Sequence, residues 1–218
     1  VQKVAKQYQA SITEYLNAVL LYSLLQKQEH DFHLRLRPVR IAMPVNLRRF
    51  FRSKTLRNFI TMVYPSIDPR LGDYTFEEIV TQVHHYMRYY INSKFLRGDI
   101  TTNASTQRNP LIRIVPLFLK DFVVRQFYQR VQDKNSSAGL TNMGAIRVPD
   151  DMKPYLERFD IYMGIPYSQR PNCAIVSFED TLTVNFASCI IEADVERRFF
   201  QKLVEDGIPV TIESNREL

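Results

Sequence analysis

The chain has 218 residues, 45% hydrophobic and 24% charged, with a formal net charge of +6. These values exclude a disordered or collagen-like chain and leave ample material for a real core. No apolar run reaches the roughly 18 residues of a membrane span, and no secretory leader opens the chain, so a cytoplasmic location is expected. Two cysteines, Cys173 and Cys189, are too few for a disulfide framework or a four-ligand zinc site; both are expected reduced, with Cys189 a small core residue.

Taken in order, Ser11-Ile-Thr-Glu14 is a capping box opening a helix whose apolar residues recur at Ile12, Tyr15, Leu16, Val19, Leu20 and Leu24. Leu36 to Leu47 is β-branched and apolar and reads as a buried strand, followed by a loop of arginine and phenylalanine and a shorter strand at Phe59 to Tyr64. A second capping box, Thr75-Phe-Glu-Glu78, starts a helix predicted to run to about Phe95, before a polar break from Gly98 to Asn109. Leu111 to Val131 reads as a helix, Asn135 to Gly139 as a turn, and Leu140 to Val148 as a strand. Asp150 to Leu156 is predicted as a short helix. Strands are predicted near Arg158–Met163, Asn172–Phe178 and Leu182–Ser188, with Glu179-Asp180 as a tight hairpin. A helix over Asp194–Glu205 and a short strand over Val210–Glu213 finish the chain. Strands mixed with long helices give an α+β fold, a mixed β-sheet with helices mainly on one face, here expected as a single domain over 1–218.

Charge is concentrated in one place. Arg35, Arg37, Arg40, Arg48, Arg49, Arg52, Lys54 and Arg57 follow one another with no acidic residue between them. Guanidinium forks match phosphate oxygens, so this is a candidate anion site; the competing reading is a solvated strand edge and loop. The pair His84-His85 lies in a helical segment, where neighbours point about 100° apart and cannot converge on one metal. One histidine is expected inward and one outward, and no metal site is expected. No glycine-rich phosphate loop, GxSxG or HExxH occurs.

Several segments, in order, resemble the C-terminal half of the CoA-dependent acyltransferase superfamily, which includes chloramphenicol acetyltransferase, BAHD acyltransferases, condensation domains and alcohol acetyltransferases. Ser11-Ile-Thr-Glu-Tyr-Leu-Asn-Ala-Val-Leu-Leu21 resembles the helix that opens that half. Val39-Arg-Ile-Ala-Met-Pro-Val-Asn-Leu-Arg48 is similar to the V-P-V-D-x-R strand, with Asn46 in place of the Asp. Thr55-Leu-Arg-Asn58 falls at the G-N-A/T segment. Ala138-Gly-Leu-Thr-Asn-Met-Gly-Ala-Ile-Arg-Val-Pro149 is similar to the S-N-x-G segment of the alcohol acetyltransferase branch. Phe159-Asp-Ile-Tyr-Met-Gly164 and Val195-Glu-Arg-Arg-Phe-Phe200 follow in that branch's order.

The resemblance implies one lobe of a two-lobe, chloramphenicol acetyltransferase-like architecture, with the N-terminal lobe of the same protein as its partner. The general base of that family is the second histidine of HHxxxDG on the N-terminal half. Here Tyr89 and Tyr90 stand where His84-His85 would need Asp and Gly, so no catalytic residue is assigned to this chain and the fragment alone is expected to be inactive. Acyl-CoA is implied as co-substrate and an alcohol as acceptor, with no permanently bound cofactor, no nucleic-acid partner and a possible homo-oligomer. Asn58, Thr141, Asn142, Arg49, Arg52 and Lys54 are the expected substrate and CoA tunnel residues, and Arg48 with Asp160 an expected buried structural pair. Two alternatives remain open: a condensation-type domain using carrier-protein thioesters, and a non-catalytic binding module with a basic anion-binding surface.

Overall fold

The computed structural model describes residues 1–31, 35–108, 116–117, 121, 136–164 and 171–215. They fall into two compact units: Val1–Val39 with Ile67–His84 and the segment from Ile190, and Arg40–Ser66 with His85–Cys189.

The first unit is helical. It holds α1 (Gln2–Gln7), α2 (Ile12–His30), the first part of α3 (Phe76–Tyr90) and α5 (Asp194–Glu205). Ser11 caps α2 as expected: its Oγ accepts the Glu14 amide, and the Glu14 carboxylate accepts the Ser11 amide at 2.7 Å. From Tyr15 to Leu21 every residue of α2 is buried, so this helix is enclosed on all sides, not only along its apolar stripe. α1 and α5 pack on it. Tyr8, Tyr15 and Tyr22 each meet Phe76 in an edge-to-face ring contact, and each fully buried aromatic or aliphatic side chain stabilises by about 1.5–3 kcal/mol. Thr75 caps α3 in the same reciprocal way as Ser11, with Glu78 as partner.

Among the described residues, a mixed sheet of six strands lies almost wholly in the second unit, with Val39 and Ile67 at its margin in the first. Its strands are β1 (Val39–Asn46, entered from the first unit at Val39), β2 (Ile60–Val63), β3 (Ser66–Ile67), β4 (Ala138–Ala145), β5 (Asn172–Phe178) and β6 (Thr181–Ala187). The order is β2-β1-β4-β5-β6, with β3 paired to β1 off this path. β1 runs parallel to β4 and β4 parallel to β5, while β1–β2 and β5–β6 are antiparallel. An α+β mixed sheet is thus the observed class. β5 is buried along almost its whole length, as a central strand with parallel and antiparallel neighbours should be. The β5–β6 hairpin turns at Glu179-Asp180 as predicted, with Glu179 at φ 46°.

Several elements differ from the expectation. α3 ends at Tyr90, and the polar stretch from Gly98 is not a break but part of α4 (Ser93–Arg108). Asn92 causes the division: its Oδ1 accepts the amides of Lys94 and Phe95, both at 3.0 Å, restarting the helix. Residues 158–163 and 210–213 form no regular strand, and the predicted helix at 150–156 is a 3-10 turn, Lys153–Tyr155. β3 and α1 were not anticipated. Most of the helix expected over 111–131 lies outside the described residues. Cys173 is buried, whereas Cys189 is exposed and is not the core residue expected. Among the described residues no helix is long and apolar enough to cross a membrane.

Candidate functional site

All eight expected site residues belong to the sheet unit, and β1 and β4 carry or precede seven of them. β1 and β4 are in register only at Ile41–Ala138 and Ala42–Gly139. Beyond those two rungs β1 continues against β2, and β4 continues against β5. The sheet therefore forks. One prong ends in the basic loop, with Arg49, Arg52, Lys54 and Asn58; the other bears Thr141 and Asn142 immediately past the fork.

The basic loop is built on its own backbone. The Leu47 amide donates to the Phe59 carbonyl at 3.0 Å and closes the base, giving a compact loop of the Ω kind. Asn46 Oδ1 accepts the Arg48 amide at 3.0 Å and caps the 3-10 turn Leu47–Arg49, so the residue standing in for the family Asp has a local structural task. The Arg48 guanidinium then reaches across the loop to the carbonyls of Thr55, at 2.9 Å, and Arg57, at 2.5 Å. Ser53 Oγ accepts the Thr55 amide, and Thr55 Oγ1 the Arg57 amide. With Arg48 acting as a strut, the side chains of Arg49, Arg52, Lys54 and Arg57 project into solvent, and none has an acidic partner among the described residues. Asn58 is exposed beside them.

The expected Arg48–Asp160 pair does not form. Both residues are exposed, Arg48 is occupied by its own loop's carbonyls, and Asp160 accepts from Arg158 Nε at 3.0 Å and Asn185 Nδ2 at 3.3 Å. A guanidinium that can satisfy two nearby carbonyls at little entropic cost has no need of a distant carboxylate.

On the other prong, Asn142 Oδ1 accepts the Gly144 amide at 2.8 Å, and Gly144 adopts φ 77°. The β4–β5 register shifts between Asn142 and Ala145, so the Asn142 side chain shapes a bulge, a device that re-aims a strand. Thr141 is half-buried next to it. Gly139 is needed for a different reason: a Cβ there would stand 2.4 Å from Asn172 Oδ1, while Asn172 Nδ2 donates to the Gly164 carbonyl at 2.8 Å.

Nearby in sequence to the second prong, Lys153 bridges Asp150 at 2.9 Å and Glu179 at 3.3 Å. The hydrogen bond and charge of Lys153 hold Asp150 below the usual carboxylate range, and the two acids raise Lys153.

His84 is half-buried, with Nδ1 at 3.3 Å from Glu14 Oε2, and His85 is exposed on the same helix. Among the described residues no group of three or more His, Cys, Asp or Glu is placed to hold a metal. Sequence reasoning missed the task of Arg48, for which the Asn46-x-Arg48 spacing, an Asx cap, was the available signal; Arg57 was in the basic run but not among the expected tunnel residues.

No protein-family model matches the chain, and no curated protein matches it. Solved structures do. Polyketide synthase associated protein 5 from Mycobacterium tuberculosis superposes with a TM-score of 0.53 at 12% identity, covering 93% of this chain and 47% of that one. Wax ester synthase/diacylglycerol acyltransferase from Marinobacter aquaeolei VT8 gives 0.45 at 10% identity, covering 94% and 46%. A structure of condensation domain-mediated chain release from the enacyloxin polyketide synthase gives 0.48 at 13%, covering 100% and 40%. The chain spans 40–47% of the length of each, and at these identities the first likeness bears on fold alone. In fold, the chain is similar to about half of polyketide synthase associated protein 5.

Proposed function

We infer that the chain is the C-terminal lobe of an enzyme that moves an acyl group from acyl-CoA to an alcohol. The observation that supports this reading is the order of segments from Ser11 to Phe200, which resembles the C-terminal half of that superfamily, in a fold similar to about half of polyketide synthase associated protein 5. In the reaction the acceptor oxygen attacks the thioester carbonyl, a C–O bond forms, the C–S bond breaks, and CoA leaves as a thiolate that takes back, from the base, the proton given up by the acceptor hydroxyl. The hydroxyl proton passes to a base, which the resemblance assigns to a histidine of the N-terminal lobe.

This lobe's task is to hold the donor. The unpartnered cations Arg49, Arg52 and Lys54 suit the phosphates of CoA, since a charge with no internal partner gives up no ion pair of its own when a phosphate binds. Thr141, beside the bulge shaped by Asn142, lies on the other prong of the fork as the tunnel-lining candidate. The same free cations also suit the acidic surface of a carrier protein, which is the condensation-type reading.

The test is thiol release by the full-length protein from acyl-CoA, with and without a primary alcohol, and in parallel from a carrier-protein thioester. Alcohol-dependent release from acyl-CoA supports the first reading, and release from the carrier thioester alone supports the second. Replacing Arg49, Arg52 and Lys54 by Gln is expected to raise the KM for the donor about tenfold or more, with kcat changed less. No release from either donor would end both.

A further inference from the structure

The loop after β1 is cationic and apolar at once, and donor phosphates account only for the cations. Leu56 is fully exposed between Lys54 and Arg57, and Phe50 is more than one-third exposed beside Arg49. The chain then enters β2, an edge strand. Its pairing places Met62 opposite Pro44 and Ile60 opposite Asn46 on the outward face, because Val63 and Met43, the next pair along, are buried. Ile60, Met62 and the following Tyr64 are all exposed, with the Tyr64 amide donating to Tyr86 Oη at 2.9 Å. From Arg35 to Ile67 there is no acidic residue.

We propose that this loop and the outward face of β2 form a docking surface for an anionic phospholipid bilayer. The inference goes beyond the acyl-transfer reading and does not rest on it. A protein lying on a membrane needs two signals, apolar groups for the acyl boundary and cations for the headgroups, and this segment alternates them. Arg and Lys stems lie along apolar surface while their heads reach phosphate, so Leu56 enters the boundary as Arg49, Arg52, Lys54 and Arg57 engage the headgroups. The strut from Arg48 and the closed base hold the loop in shape beforehand, which lowers the entropic cost of docking. A nucleic-acid surface would place aromatic rings for base stacking, whereas here the most exposed apolar groups are the aliphatic Leu56 and Ile60. No membrane-spanning helix among the described residues is required, since the contact is interfacial.

The experiment is co-sedimentation of the full-length protein with vesicles of phosphatidylcholine alone and of phosphatidylcholine with about one-third phosphatidylglycerol. Binding is expected to the mixed vesicles, to fall with salt, and to be weak on the neutral ones. Changing Arg49, Arg52, Lys54 and Arg57 together to Gln is expected to weaken binding by about a hundredfold or more. Leu56→Ser is expected to weaken it about tenfold at every salt concentration. Thermal unfolding of both variants should match the parent. Acyl transfer to a soluble acceptor is followed alongside, and Leu56→Ser should leave it intact, so the docking and transfer readings fail separately. The proposal is overturned if Leu56→Ser binds mixed vesicles as tightly as the parent, or if neutral and mixed vesicles bind alike. It is equally overturned if a single-stranded oligonucleotide competes fully and binds parent and Leu56→Ser equally.

Discussion

The cluster around Asp206 in the helical unit and the loop after β1 in the sheet unit are both rich in polar groups, and they use them in opposite ways. Asp206 accepts from Tyr15 Oη at 2.6 Å, Lys202 Nζ at 2.6 Å and Tyr8 Oη at 3.4 Å. The Lys202 and Asp206 side chains are only 13% and 9% exposed, and Lys202 also sits 4.3 Å over the Phe76 ring. Every charge there is spent on holding α5 and the residue after it to α1, α2 and the start of α3. In the loop only Arg48 is spent that way, on two carbonyls, while four neighbouring cations stay in solvent. Removing one partner of a buried pair strands the other, whereas exposed, unpaired charges can be removed at little cost to the fold.

The strongest attempt to break this contrast is Asp206→Ala, which strands the mostly buried Lys202 and two tyrosine hydroxyls. It is expected to destabilise by about 3–5 kcal/mol in urea denaturation, and a change under about 1 kcal/mol would show that the cluster is not structural. Next comes pH. Burial first, and the Asp206 hydrogen bond second, raise the Tyr15 hydroxyl above its ordinary value of 10.0. Burial pulls Lys202 down, but its hydrogen bond and attraction to Asp206 outweigh that and leave it above 10.5. Both folded values lie above the unfolded ones, so their stabilisation is complete below about pH 10 and is lost as pH rises through the folded values. Denaturation curves from pH 8 to 11 should therefore show stability falling above about pH 10, less steeply in Tyr15→Phe.

Arg48→Ala should cost only about 1 kcal/mol, because the site is exposed, but amide exchange at residues 53–57 should quicken. Arg48→Lys should not restore protection, since one ammonium cannot span both carbonyls as the guanidinium fork does. The smallest stability effect belongs to the four free cations: replacing them with Gln should leave unfolding within about 0.5 kcal/mol of the parent while anion binding is lost. Substantial destabilisation there would mean that these charges, like Lys202, serve the fold.

Local signals carried far into the structure. Both capping boxes, at Ser11 and Thr75, form as their spacing implies, and β1, β2, β5, β6 and α5 lie where alternation and helical periodicity put them. What stayed hidden depends on neighbours distant in sequence. β3 is too short to have a pattern, and the division at Asn92 is decided by one side chain that competes with continuing the helix. The fork between β1 and β4 is a pairing fact with no local signature. In the site, the basic run was legible as charge, but which arginine would be consumed was not: Arg48 is identical in type to Arg49 and differs only in the carbonyls within reach. Likewise Asp160 was matched by motif to Arg48, yet Arg158, two residues away, was the cheaper partner.

The account turns on acyl transfer from a CoA thioester, and free-thiol release measured on the full-length protein with acyl-CoA and a primary alcohol tests it most directly. The account predicts alcohol-dependent release that weakens about tenfold at subsaturating donor when Arg49, Arg52 and Lys54 become Gln. No release with any acyl-CoA, or release indifferent to those three side chains, would contradict it.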